Sequence, residues 1–209
     1  MSAVRPKATK DRHQEILDAA ARVITERGLA DTRISDVAEA AGVSTGLILY
    51  YFDSKDRLLS EALTYANDQF FLRMSREIRR IPSAKDQLRH LIDLSVPGYQ
   101  PEYGKLDEWA LWIEVWVRAL RDPQMAKDRE VLDQRWRQSI AEIVRAGQAS
   151  GEFGPGDAEE IALRLGSLID GLAIQVIMND SQVSPERMHR ACMEVAASLI
   201  GFELEPAQA

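Results

Sequence analysis

A single cysteine, Cys192, occurs in the 209 residues, so no disulfide can form within the chain and a reducing cytoplasm is the expected setting. No apolar run approaches the roughly 18 residues that a membrane-spanning helix needs. The N-terminal stretch MSAVRPKATKDRHQE is basic and polar, without the apolar segment of a signal peptide. Period-2 alternation of apolar and polar residues, the mark of a half-buried strand, is missing as well. Signs of catalysis are equally thin. H-E-x-x-H, G-x-S-x-G and a phosphate-binding glycine loop do not occur, and His13, His90 and His189 fall on separate segments. Glu102, Asp107 and Glu108 cluster near a loop, where a solvated charge group explains them, and Cys192 reads as buried packing rather than a nucleophile. No enzyme activity, metal site or cofactor is expected, and a helical enzyme stands only as the unfavoured alternative.

What is present is helix and unevenly placed charge. The net charge is −7, yet residues 1–60 hold nine Lys/Arg and nine Asp/Glu and sum to 0, so the remaining chain carries all of the −7. Arg5, Lys7, Lys10 and Arg12 stand against Asp11 alone, so the N-terminal part suits a polyanion and the rest repels one. Apolar periodicity near 3.6 residues, punctuated by Gly and Pro, predicts about nine helices and an all-α fold. They begin near Lys10, Ile34, Ser44, Ser54, Ser83, Leu106, Asp122, Asp157 and Ser184. The fourth is expected to run to Ile81, where Pro82 stops it, and VPGYQPEYG (96–104) reads as a loop.

The two short segments within ISDVAEAAGVSTGLILYYF (34–52) carry the first functional signal. Ala38, Gly42 and Ile48 take relative positions 5, 9 and 15 of a two-helix unit. A small residue at 5 lets two helix backbones cross closely, and glycine at 9 reaches positive φ without a Cβ penalty. Val37 and Ile48 can then meet under the turn. This is a helix-turn-helix, with Ser44 capping the second helix and Tyr51 and Phe52 as core. Such a helix enters the DNA major groove N-terminus first. The expected DNA-contacting residues are therefore Thr32, Arg33 and Ser35 at the first short helix, Ser44, Thr45, Gly46, Leu47 and Tyr50 on the second, and Lys55 on the next. Thr45 can bond a base edge or phosphate, Gly46 permits close backbone approach, Leu47 can meet a thymine methyl, and Lys55 adds charge beside free N–H groups.

TRISDVAEAAGVSTGLILYYFDSKDRLLSEAL resembles the DNA-binding region of the TetR family of bacterial repressors. It has the Ala-Gly-Val-Ser turn, a glycine two residues later, an aromatic-Phe pair and a Ser-Lys-x-x-Leu helix start. WIEVWVRALRDP and GEFGPGDAEEIALRLGSLIDGL are similar to the BetI-type subgroup. The resemblance implies a three-helix DNA-binding domain followed by a larger helical domain that binds a small-molecule effector and pairs into a homodimer. The chain departs from the family at Leu49, where many members carry a tyrosine that touches phosphate; Tyr50 is the available substitute.

Residues 1–53 are accordingly read as arm and DNA-binding domain, and 54–209 as ligand-binding and dimerisation domain. Trp109, Trp112 and Trp116 share one stripe of their helix, and indole N–H groups want partners. With Phe70, Tyr99, Tyr103 and Trp136 they are candidate pocket residues, and an aromatic cage suits a quaternary ammonium or other cation. Glu114 and Arg118, at i, i+4, read as a solvated ion pair. The segment 161–178 is apolar almost all round. Ala162, Gly166, Ser167 and Gly171 allow close approach and mark it as half of a four-helix dimer interface, with Asp170 as a buried polar contact across it. The expected function is a homodimeric repressor on a palindromic operator of double-stranded DNA, released by a small molecule and having no membrane partner. An activator or dual regulator of the same fold is the alternative.

Overall fold

The structure, a computed structural model, describes residues 9–99 and 106–202, with the backbone alone at 9, 10 and 106–108. Tyr103, Glu102, Arg5 and Lys7 lie outside the described residues, as do the side chains of Lys10, Asp107 and Glu108. Among the described residues there are nine helices and no strand. They are α1 (Thr9–Arg27), α2 (Ile34–Ala41), α3 (Thr45–Phe52), α4 (Lys55–Ile78), α5 (Ala84–Ser95), α6 (Leu106–Ala119), α7 (Pro123–Ser150), α8 (Ala158–Ile177) and α9 (Pro185–Ile200).

Local chemistry explains most of these boundaries. Ser44, Ser83, Asp157 and Ser184 each accept a first-turn N–H and cap α3, α5, α8 and α9. The α4 helix stops at Ile78, short of the expected Ile81. Pro82 disfavours helical geometry at Ile81, and the N–H groups of Arg80 and Ile81 turn back more tightly onto Glu77 and Ile78.

The chain packs as two compact units, Met1–Phe70 with Ala110–Arg129 and Phe71–Trp109 with Glu130–Ala209. The first takes in more chain than the segment 1–53, because α4 and α6 share the core of α1–α3. Ile16, Ala20 and Ile24 of α1 meet Val37, Ile48 and Phe52 in that core, and Leu58 and Leu63 of α4 and Leu111 and Val115 of α6 complete it. His13 of α1 stacks on Phe52 at 4.6 Å, and its Nε2 lies 3.4 Å from Glu61 of α4.

In the second unit α8 packs on α9 and both meet α5. Met188, Cys192 and Ala196 face inward from α9, and burial pushes the Cys192 thiol up to about 12, so it packs as a small apolar group. The α7–α8 turn is held by two devices. Gly147 lies under the Phe153 ring so closely that an added Cβ would fall 2.0 Å from a ring carbon. Glu152 accepts from the Ser83 hydroxyl at 2.6 Å and from the N–H groups of Ala84 and Lys85 at 3.1 Å, so it caps α5 from across the sequence.

The Ser83 hydroxyl, then the Lys85 and Ala84 N–H groups, hold the Glu152 carboxyl down from 4.5 to about 2. A carboxyl depressed on folding contributes stability above its unfolded value and loses it as pH falls through the folded one. Glu152→Gln is expected to lower the thermal midpoint at pH 7 and to converge with the natural protein as pH drops from 4.5 towards 2. Thermal melts across that range check this, and parallel curves would contradict it.

Candidate nucleic-acid interface

The geometry starts at Gly42. Its φ of +64 and ψ of 38 are left-handed, and the Val43 N–H returns to Ala38 O at 2.9 Å, closing α2 and turning the chain sharply into α3. Ala38 is buried at the crossing, and Val37 and Ile48 are both fully buried beneath it, as expected from their spacing. Ser44 Oγ accepts the Leu47 N–H at 3.2 Å and fixes the start of α3. Asp53, itself at φ +60, ends it, and the next residue, Ser54, caps α4 by accepting the Arg57 N–H at 3.2 Å.

With Ile48 and Phe52 turned inward, the other side of α3 is open. Thr45 and Gly46 are exposed, Leu47 is half-buried, and Tyr50 is 78% exposed. Leu49 also faces solvent, at 44%, so the residue that replaces the expected tyrosine belongs to the same surface. Tyr50 packs edge-on against Tyr51 at 5.5 Å, which restrains it beside the helix. Arg33 and Ser35 are exposed at the start of α2, and Lys55 is half-buried in the first turn of α4. Arg57, one turn along α3–α4, is engaged by Asp53 and Glu61.

One candidate does not fit. Thr32 is fully buried and donates its hydroxyl to Gly28 O at 2.8 Å, so its side chain braces the α1–α2 turn instead of facing DNA.

The candidate aromatic residues are divided between the units. Trp109 is a core side chain whose Nε1 donates to Ser95 O at 3.2 Å. Trp116 packs against the α1–α4 core and lies 6.3 Å from Trp112. Phe70 is half-buried at the end of the first unit. Tyr99 stacks on His189 at 4.3 Å, and His189 lies 2.8 Å from Asp93.

Trp136 differs from these. Its indole N–H is buried and finds no acceptor among the described residues. Gly166 of α8 lies against it, with a Cβ position 3.4 Å from Nε1, and the Phe71 ring is tilted at 6.5 Å. Asp170, a turn along α8, is raised from 3.8 to about 7, first by burial and then by the charge of Asp133, while Arg137 opposes the shift. An indole, a second ring with the Arg135 guanidinium over it at 5.7 Å, and two carboxyl groups make this a polar-aromatic spot of the second unit.

On α8, Ala162 and Gly166 are buried within the chain, against the expectation that they line an intersubunit face. Asp170 is likewise turned towards α7 of its own chain. Ser167 and Gly171 are exposed, together with Leu163 at 45% and, on α9, Val195 at 37%, neither of which the small-residue pattern singles out. Among the described residues no group of three or more His, Cys, Asp or Glu is arranged to hold a metal ion, and no helix is long and apolar enough to cross a membrane.

A short second helix thrown outward by a left-handed turn, over a buried three-helix core, defines a helix-turn-helix DNA-binding protein. Residues 16–62 match the model of bacterial regulatory proteins of the tetR family, and residues 84–201 match that of the BetI-type transcriptional repressor C-terminal domain. The chain belongs to the TetR family, with a BetI-type C-terminal domain, and is a transcriptional regulator. It is similar to the HTH-type transcriptional regulator BetI of Burkholderia cenocepacia, 28% identical over 162 residues that cover 77% of this chain and 79% of that protein. BetI of Stenotrophomonas maltophilia is 25% identical over 202 residues, 94% of each chain. Among solved structures, a transcriptional regulator from Saccharomonospora viridis in complex with choline is 34% identical with a TM-score of 0.80, covering 92% of this chain and 98% of that one.

Two outcomes follow from the geometry. A side chain at a left-handed residue costs roughly 1–2 kcal/mol, so Gly42→Ala is expected to lower unfolding stability by about 1 kcal/mol in urea titrations, although no atom blocks the added methyl. A carboxyl raised on folding weakens the fold as pH climbs from its unfolded to its folded value. Asp170→Asn should therefore flatten the stability profile between 3.8 and about 7 and stabilise the protein above it. An unchanged slope would show that Asp170 titrates normally.

Proposed function

We propose that this regulator is a homodimeric repressor whose two copies of α3 enter successive major grooves of a palindromic operator and which a small organic cation releases. In this reading residues 1–53 read DNA, and 54–209 bind the effector and pair the subunits in the cytoplasm. The observation that carries it is the outward face of α3. Thr45 and Gly46 lie at its start, where groove-reading side chains belong, and Tyr50 stands beside them. Arg33, Ser35, Ser44, Leu47 and Lys55 flank that face and position it on phosphate and base edges. One such helix reads few bases, and two related by a two-fold axis double the contacts at half-sites about one turn or more apart.

Pairing through the exposed side of α8 and α9 is supported by Leu163, Ser167, Gly171 and Val195, which leave apolar and small residues together on solvent-facing helix surface. The effector reading rests on the polar-aromatic spot. Trp136 offers an indole beside the Asp133 and Asp170 carboxyl groups, and the neighbouring Phe71 ring already carries a cation, the Arg135 guanidinium at 5.7 Å, the pairing of ring and positive charge that a quaternary ammonium would make. The relative from Saccharomonospora viridis holds choline. Effector that binds the conformation unsuited to DNA more tightly releases the operator by that difference in affinity.

The test is DNA binding over a salt range, using an operator fragment selected from genomic DNA. Affinity should fall steeply with salt, and choline should raise the dissociation constant. Thr45→Ala should weaken binding by about fivefold or more, and Lys55→Ala should weaken it and reduce the salt slope by about 1, both with the dimer intact by light scattering. Full affinity in both variants would remove α3 and the α4 start from the DNA surface.

A further inference from the structure

Glu114 and Arg118 stand one turn apart on α6, the spacing of an ion pair, but each is turned to a different segment of the first unit. Glu114 Oε1 accepts the backbone N–H of Leu29 at 3.1 Å, just beyond the end of α1 and 85 positions away in sequence. Arg118 Nη2 donates to Asp56 Oδ1 at 3.2 Å, in the first turn of α4, while its Nε lies 3.3 Å from Asp122 Oδ2. Asp122 in turn accepts the N–H groups of Gln124 and Met125 at the start of α7, at 3.0 and 3.2 Å. On another stripe of α6, Leu111 and Val115 are buried in the core shared with Val37 and Ile48.

The two contacts address the two ends of the helix-turn-helix. The Leu29 side leads to α2. Thr32 is bonded to Gly28 O, and Arg27 pairs with Asp36 at 3.1 Å, so the α1–α2 turn is braced and moves with Leu29. The left-handed closure at Gly42 then links α2 to the start of α3. The Asp56 side leads to the other end, since Asp53 ends α3 and Ser54 immediately caps α4. Both contacts border an open groove of about 610 Å3 lined by Leu29, Leu59 and Val117, so they can shift without emptying a packed core.

We propose that Glu114 and Arg118 are positioning residues for DNA binding, which set the α1–α2 turn and the α4 start relative to α6 and so carry a displacement of α6 to both ends of the recognition helix. One of these routes does not pass through α4. The inference rests on the reading of the protein as an effector-released repressor.

The experiment uses the full-length protein, the selected operator fragment and choline as probe. Dissociation constants for DNA are measured with and without saturating choline for Glu114→Ala, Glu114→Gln, Arg118→Ala and the Glu114→Ala/Arg118→Ala double variant. Choline affinity without DNA and the thermal midpoint are measured in parallel. Glu114→Ala should weaken choline-free DNA binding by about fivefold, and the double variant should cut the effect of choline by about fivefold or more. Choline affinity without DNA should stay within about twofold, because neither residue is assigned to the effector. Glu114→Gln keeps a carbonyl oxygen for the Leu29 N–H and should restore binding, which a merely destabilising site would not predict.

Natural DNA affinity and natural choline response in the double variant would overturn the proposal. So would weakened DNA binding with the choline response intact, since the coupling would then run elsewhere. If the natural protein ignores choline, the effector reading fails, while the choline-free arm still decides the joint: loss with Ala and rescue with Gln support it, and no change rejects it. Should Glu114→Ala fail to fold, Arg118→Ala carries the same readouts from a pair whose Asp56 partner is largely exposed.

Discussion

An eight-residue helix makes too few internal hydrogen bonds to hold its own shape in water, and α3 is such a helix. Its pose is therefore the pose of the core beneath it. Ile48 and Phe52 have no exposed surface, and burying side chains of that size contributes roughly 1.5–3 kcal/mol each. Once those two positions are pinned, the turn of the helix leaves Thr45, Gly46, Leu49 and Tyr50 in solvent. Gly42 sets the angle at which α3 leaves α2, the Ser44 cap sets where it begins, and Asp53 sets where it stops. The exposed face of α3 is thus a by-product of apolar packing on its hidden side.

How much of this was legible in the sequence depended on how local the cause was. Caps and breakers act within four residues, so Ser44, Ser83, Asp157 and Ser184 marked their helix starts, and the glycine at 42 marked its turn. Long-range causes left no such mark. Gly147 looks like a weak point inside α7 until Phe153 is found lying over it. Glu152 looks like a turn carboxylate until its partners at 83–85 are known. Thr32 looks like a polar residue beside a DNA-binding helix, and only the Gly28 carbonyl above it shows why it is buried.

The aromatic residues illustrate a second limit. Helical periodicity tells which side chains share a stripe, but not what each stripe meets, and a stripe longer than one turn can meet different neighbours along its length. Trp109 finds a carbonyl in α5, whereas Trp116, two turns along the same helix, packs on the core under the DNA-binding helices. Trp136, on another helix, has a buried N–H without an acceptor among the described residues, and that cost sets it apart from the tryptophans of α6. The same reasoning applies to α8. Small residues permit close approach of any helix, so Ala162 and Gly166 could be assigned to a partner subunit by pattern and still turn inward against their own chain.

Glu114 and Arg118 show how magnitudes decide between partners that spacing alone leaves equal. An exposed i, i+4 ion pair contributes about 0.3–0.5 kcal/mol. A hydrogen bond from a backbone N–H to a charged acceptor contributes about 1.5–3 kcal/mol. The chain leaves α1 through Gly28 at φ +79, which puts the Leu29 N–H beyond the helix ladder, and Glu114 lies within reach of it. The carboxylate therefore takes the backbone partner, and Arg118 is left to bridge Asp56 and Asp122. Glu114 and Arg118 thus fix one helix, α6, against the backbone just past α1 and against the first turn of α4, all within the first compact unit. A helix seated in a core by Leu111 and Val115 and held along its flank by two polar contacts has few ways to move apart from the turn and the helix start that it touches.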